Sequence, residues 1–387
     1  MNSWTTAPGG AGLVILALAA LDAAGYSVIA PTLPAIAEAT GAGPALTGAL
    51  VATFPAGMLL GFALAGLGVR RGRTRAVLTG SLAVVAVGSA GFVWSDDLAV
   101  YFVARSVMGL GSGGLWIGVT FATLERSPGR EYPAMARLLA AYSAGSLIGP
   151  ALGALGGVRG PFAAYLGLVA LGLVVSLLLR PPRVRRTFGS DRTVLRAPGF
   201  WISCGAVVAA AIGLGLIEGV LPLHFATELD QAQIAGLYAG LALLVAVAAA
   251  AAGYLAPGVV VRAGVFLMVP GIAITGATGS VGLWILGLAI AGVGFGLADT
   301  GSVGTLLDAV GTERIVTAMI VWSQVGIAGY LIGPLVGGLV AESLSFAWIG
   351  LVPLAAAIGL VALTVALRGH YAAAAGSTAG SARNGMR

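Results

Sequence analysis

The chain has 387 residues, of which 58% are hydrophobic and only 9% charged, with 20 basic and 14 acidic side chains. A soluble domain carries about a quarter charged residues, so an ordinary soluble enzyme is excluded. Every basic residue is an arginine, which also excludes chemistry that needs a lysine: a phosphate-gripping loop, and with it an ATP motor in this chain, or a Schiff base.

A membrane-spanning helix needs roughly 20 apolar residues, and runs of that kind recur twelve times. They lie near 11–37, 46–68, 75–94, 97–120, 132–157 and 160–180, then 199–227, 232–254, 260–278, 280–307, 316–341 and 345–367. The first contains Asp22 and follows ten residues without a charged side chain. A secretory signal shows a basic start and an uninterrupted apolar core, so this run reads as a retained helix.

Charge alternates between the connections. One set carries 18 of the 20 arginines, among them Arg70, Arg71, Arg73 and Arg75, then Arg126, Arg130 and Arg137, then six between Arg180 and Arg196. The opposite set holds Arg159 together with Glu38, Asp96, Asp97, Glu228, Asp230 and Glu342. Basic residues near span ends stay on the cytoplasmic side. The pattern therefore predicts an all-α membrane protein with twelve transmembrane helices and both termini cytoplasmic. The basic balance follows from this topology, so the lipid bilayer is the expected partner and nucleic acid is not.

The connection at 181–198 is rich in arginine and proline and separates residues 1–180 from 199–368, giving two bundles of six helices. The stretch 369–387 is rich in alanine, glycine and serine and is expected to be a disordered tail. The two bundles echo each other. GSLIGPALGALGG runs from Gly145 to Gly157, and GYLIGPLVGG runs from Gly329 to Gly338. Aligning Gly149-Pro150 with Gly333-Pro334 gives an offset of 184 residues, which also superimposes Ala134-Met135 on Ala318-Met319. Small residues of this kind let helices pack closely. Repetition about a long middle connection is a mark of secondary transporters, which bind at the midplane between repeats.

Enzyme chemistry has no foothold. Cys204 is the one cysteine, and His224 and His370 lie far apart, so neither a disulfide nor a metal site is expected. Gly109, Gly111 and Gly114 satisfy the dinucleotide fingerprint G-x-G-x-x-G. That fingerprint needs a preceding strand, whereas these glycines lie inside an apolar helical run, so no cofactor is expected.

Four ionisable residues fall well inside the spans: Asp22, Arg105, Glu218 and Asp299. A charge at the bilayer centre costs a few kcal/mol at minimum, so these groups should face the bundle interior or a water-filled cavity. Removal from water disfavours the ionised form of a carboxyl, and a nearby cation favours it. A proton and a cationic substrate thus compete for one carboxylate, which suffices to couple their movements. Proton coupling is assigned on this reading to Asp22, Glu218, Asp299 and Arg105. Arg105 shares a helical stripe with Gly109, Ser112 and Trp116; it either pairs with a buried acid or ties its span to neighbouring carbonyls. Tyr26 and Phe295 lie one turn from Asp22 and Asp299, where aromatic faces attract organic cations or simply pack. Trp116, Trp322, Gln324 and Tyr330 complete the candidate substrate site. Pro222 deprives the Glu218 carbonyl of its partner, and Pro31 and Pro34 do the same to Ser27 and Ala30. Broken helices of this sort are tolerated where backbone lines a cavity.

Several stretches carry a family resemblance. GLGVRRGRTRAVL, from Gly66 to Leu78, has Gly72 and Arg73 at the positions of a loop signature, with Val69 where that signature carries aspartate. ARSVMGLGSGG places Arg105, Gly109 and Gly111 as R-x-x-x-G-x-G, and Gly145, Gly149, Pro150 and Gly153 read as G-x-x-x-G-P-x-x-G. On these motifs the chain resembles the major facilitator superfamily, specifically its twelve-span drug:proton antiporters. LDAAGYSVIAPTLP around Asp22, LIEGVLP around Glu218 and GFGLADTGSVGTLLD around Asp299 and Asp308 are similar to the vesicular amine transporter branch. Ser323 stands where that branch carries a further acid, and its span 2 lysine has no counterpart here.

The resemblance implies the major facilitator fold in a multi-pass protein of the bacterial cytoplasmic membrane. It also implies a monomer that exchanges protons for an organic, cationic and lipophilic small molecule by alternating access. Two other readings stay open: a facilitator or exporter of neutral metabolites such as sugars or amino acids, and a non-transporting membrane receptor or assembly factor.

Overall fold

The structure, a computed structural model, describes residues 10–127, 130–178, 192–310 and 314–384. No strand forms among these residues. The first half comprises α1 (Gly10–Ser27), α2 (Ile29–Thr40), α3 (Pro44–Arg70), α4 (Thr74–Trp94), α5 (Leu98–Arg126), α6 (Glu131–Gly153) and α7 (Arg159–Leu178). The second comprises α8 (Pro198–Gly219), α9 (Leu221–Phe225), α10 (Gln231–Ala252), α11 (Pro257–Ala277), α12 (Val281–Val310), α13 (Ile315–Ser343) and α14 (Leu351–Asn384). Because α1 with α2, and α8 with α9, each form one interrupted span, these are the twelve expected helices. Eleven are long and apolar enough to cross a membrane among the described residues. The twelfth, α6, packs as a span but carries Arg137, Tyr142, Ser143 and Ser146, which lower its apolarity.

Both interruptions fall at prolines. Pro31 offers no N–H to the Ser27 carbonyl, and the first span breaks between Ser27 and Ile29. Pro222 does the same to Glu218, and α8 stops at Gly219 before α9 resumes at Leu221. Two of the loop acids turn out to be helix caps. The Asp97 carboxylate accepts the Ala99 N–H at 2.7 Å, and Asp230 forms a reciprocal capping box with Gln233.

Two boundaries differ from expectation. The fifth span ends at Gly153 rather than 157, because Gly156 and Gly157 adopt φ of 81° and 61°, the left-handed conformation that ends helices. The backbone of α14 continues to Asn384, past residue 369 where a disordered tail is expected. Most of the 181–198 connection lies outside the described residues, which resume at a short 3₁₀ turn over Arg192–Arg196.

The repeat is visible in the packing. In the first half α1 packs on α6, α3 on α5 and α4 on α5; in the second, α8 packs on α13, α10 on α12 and α11 on α12. The halves then meet through α3 against α13 and α6 against α10. Glycines permit the closest approaches. A side chain at Gly145 would strike the Ala20 backbone of α1, and one at Gly333 would strike the Ile212 backbone of α8. The glycines that mimic a dinucleotide fingerprint do the same work: Gly109 lies against the Phe54 backbone of α3, and Gly111 against Ser81 and Val85 of α4. Gly72 of the loop motif takes φ 70°, and the adjacent Arg73 is exposed.

Candidate substrate and proton site

A polar side chain from a neighbouring helix holds each broken span. Arg105 of α5 donates from Nη1 to the Gly25 carbonyl and from Nη2 to the Tyr26 carbonyl, both at 2.9 Å. In the second half the Tyr238 hydroxyl of α10 donates to the Ile217 carbonyl, one residue before Glu218. Arg105 has no exposed surface, and its guanidinium carbon lies 4.2 Å over the Phe54 ring. Of the two roles open to this arginine, the structure shows the tie to carbonyls.

That geometry makes a prediction. Charge-assisted hydrogen bonds are worth about 1.5–3 kcal/mol each, and an ammonium cannot reproduce the fork that grips two carbonyls. Arg105→Lys is therefore expected to lower the melting temperature in detergent by several degrees. An unchanged melting curve would show that the tie contributes nothing to the fold.

Two of the acids lie on the helices that lead into these breaks. Asp22 of α1 is 1% exposed and Glu218 of α8 is 8% exposed, while Asp299 of α12 is half-buried. Neither carboxylate oxygen of Asp22, nor Oε2 of Glu218, has a hydrogen-bond partner among the described residues. The hydroxyls of Tyr26 and Ser112 and Nε of Arg105 are equally unpartnered. Leaving a buried polar group unpaired costs about 1–3 kcal/mol, so such a concentration needs a reason beyond stability.

Tyrosines surround the acids. Asp22 faces Ser112 and lies within electrostatic reach of Tyr142 of α6 and Tyr165 of α7. Glu218 faces the Tyr26 hydroxyl and is within reach of Arg105, Tyr142, Tyr238 and Tyr330. Tyr330 of α13 also reaches Asp299. Ring contacts bridge the two halves, since Tyr26 and Tyr330 meet edge to face with centroids 5.4 Å apart. Trp116 packs edge-on against Tyr142 at 5.1 Å.

Sequence reasoning therefore assembled most of this cluster: Asp22, Tyr26, Arg105, Trp116, Glu218, Asp299 and Tyr330. Other candidates sit in apolar surroundings. Phe295 packs in an apolar group with Met268 and Ala298, against which Tyr330 also rests. Trp322 packs with Phe200, Cys204 and Leu306 near the start of α8, and Gln324 is half-buried on the same helix as Trp322. Asp308 is exposed near the end of α12. Tyr142, Tyr165 and Tyr238 were missed. Tyr142 had a signal, because it stands three and seven residues before Gly145 and Gly149, on the face that meets α1; the other two had none.

The antiporter-motif glycines fix the first break. Gly145 lies against Ala20, Gly149 against Ser27 and Ala24, and Gly153 against the Pro31 ring. The motif thus seats α6 along the interrupted span that carries Asp22.

Residues 15–326 match the family model of the Major Facilitator Superfamily. The chain belongs to this superfamily. Its eleven long apolar helices among the described residues make it a multi-pass membrane protein of that superfamily. Among curated relatives it is 27% identical over 282 residues to the synaptic vesicular amine transporter of Mus musculus, and 26% identical to that of Homo sapiens. These alignments cover 67% of this chain and 54% of each relative, so the chain spans about half the length of the proteins it matches. Solved superfamily structures share the fold at lower identity. A bacterial homolog of the human lysosomal transporter Spinster, inward-facing and occupied, superimposes with TM-score 0.71 at 16% identity over 94% of this chain and 96% of that one. The partially occluded, inward-open xylose transporter XylE from E. coli gives 0.69 at 16% identity over 90% and 95%.

Proposed function

We propose that this superfamily member is a proton-coupled antiporter that exports an organic, cationic and lipophilic compound across the cytoplasmic membrane. One observation carries the reading: Asp22 is buried with both carboxylate oxygens unpartnered, among tyrosines, on the helix that leads into the first break. A lone carboxylate of this kind offers one place for either a proton or an ammonium group, and the tyrosine rings supply the faces that attract organic cations. Glu218 lies beside the second break with its Oε2 unpartnered, so each half contributes an acid, and the second adds Asp299. Similarity to the synaptic vesicular amine transporters supports an amine as cargo.

The cycle follows from competition. With the site open to the cytoplasm, the cation displaces a proton from Asp22, Glu218 or Asp299. Rocking of one half against the other exposes the site outside, where a proton displaces the cargo. One elementary charge falling through 100 mV supplies about 2.3 kcal/mol. Cytoplasmic termini set the direction, because they place the arginine-rich connections inside.

Proton release on ligand addition to the purified transporter, screened over amines and neutral compounds, tests this reading. Lipophilic amines are expected to release protons, and their affinity should weaken as the bulk proton concentration rises. Binding confined to neutral sugars or amino acids, without proton release, would replace antiport by facilitated transport. No flux in proteoliposomes under any gradient would favour a receptor.

A further inference from the structure

The two halves are stitched together at the end of the bundle opposite the start of α1, and the stitches share one chemical form. Glu342, the penultimate residue of α13, accepts the Ala45 N–H through Oε2 at 2.8 Å. Ala45 is the second residue of α3, a position whose N–H has no partner within its own helix. The preceding residues cannot supply a side-chain cap, since Gly43 has no side chain and Pro44 only a ring. Glu342 therefore caps α3 from the other half. A carboxylate near the C-terminus of its own helix is poorly placed, whereas one at a helix N-terminus is favoured. The docking places Glu342 at the second kind of site and offsets the first.

The second stitch also reaches from the second half to the first, with the side chain now donating. Gln231, the first residue of α10, donates from Nε2 to the Gly153 carbonyl at 3.0 Å and to the Gly157 carbonyl at 2.9 Å. Gly153 is the last residue of α6, so its carbonyl is one that helix cannot satisfy. Here a side chain of the second half caps the C-terminus of a helix in the first. Backbone packing makes the α3 contact specific. A side chain at Gly43 would lie 2.9 Å from the Glu342 carboxylate, and one at Gly338 would press on the Pro44 and Ala45 backbone.

We propose that Glu342 and Gln231 form a latch of two helix caps, both lent by the second half to helices of the first, that holds the halves closed at this end, and that releasing them shifts the transporter toward the state open there. Each cap is used only while the halves touch, so each weighs on the balance between states and not on the stability of either half. The inference rests on the rocking motion proposed above and is independent of what the transporter carries.

Distances between spin labels test it. Ala39→Cys and Ser280→Cys put exposed labels at this end on opposite halves, in a background where the buried Cys204 is replaced by alanine. Glu342→Ala and Gln231→Ala are each expected to raise the ratio of long to short distances about fivefold, the weight of a typical cap. The double variant should exceed both. Arg159→Gln is the control: it breaks the exposed 2.5 Å ion pair with Asp96 at the same end but within one half, and should leave the distances unchanged. Unaltered distances in the double variant, with its elution profile and melting curve intact, overturn the latch. An equal shift from Arg159→Gln overturns it as well, by showing that any lost contact at this end opens it. Failure of proton release leaves these distances untouched, so antiport and latch fail separately.

Discussion

Replacing Asp22 by asparagine is expected to abolish proton-coupled transport while leaving the chain folded and slightly more stable. Asparagine has nearly the same shape, so the surroundings of Ser112, Tyr142 and Tyr165 need not move. What disappears is an ionisable group whose two oxygens have no hydrogen-bond partner among the described residues. Burying a neutral amide costs less than burying a carboxylate, so the variant should gain up to about 1 kcal/mol and melt at an equal or higher temperature. A structural carboxylate behaves in the opposite way, because its loss would unfold the protein together with its transport. Full proton-coupled transport by Asp22→Asn, and then by the double variant that also carries Asp299→Asn, would sink the assignment. The inactive variant should release fewer protons per ligand bound than the parent, which separates loss of coupling from loss of binding.

The largest loss of stability is expected from Gly145→Val. A Cβ at this position would land on the Ala20 backbone, and α6 presses on α1 along the whole motif. Backbone cannot move aside as a flexible side chain can, so the helices must separate. Overpacking of this kind costs about 1–3 kcal/mol for small insertions, and more where the obstacle is main chain. The variant should lose transport and melt well below the parent. Gly329→Val, its repeat-related counterpart against Val208 and Ala211 of α8, should behave alike. Gly80→Ala is the contrast, since nothing lies within 4 Å of an added Cβ there; it should be neutral or mildly stabilising through helix propensity. If the Gly145 and Gly80 variants melt together, close packing is not what the motif serves.

How much of this was legible beforehand depended on the kind of interaction. Runs of apolar residues and the arginines between them are local properties of the chain, and they located twelve helices to within a few residues at most ends. The prolines at 31 and 222 were equally readable, because a missing N–H interrupts a helix whatever surrounds it. Arg105 shows where such reading stops. Its position inside an apolar helix announced a buried charge, but the choice between an acid and two carbonyls required knowing that α5 passes beside the break after Tyr26. Phe295 and Trp322 looked like Tyr26 and Trp116 in sequence; only the packing showed Tyr26 against Tyr330 and Trp116 against Tyr142, beside the acids. Glu342 read as one acid in an outer loop, and its partner lies 297 residues away.

The scarcity of charge, 9% of 387 residues, decided by itself that the chain is a membrane protein, and the apolar runs between the few charges gave the number of spans. Transfer from water to hydrocarbon is paid residue by residue, so composition alone can settle it. The tertiary structure decided which buried charges meet, which remain unpartnered and which side chains cap helices of the other half. Those outcomes depend on distances between helices remote in sequence, and an interaction of a few ångströms exists only once packing has brought them together.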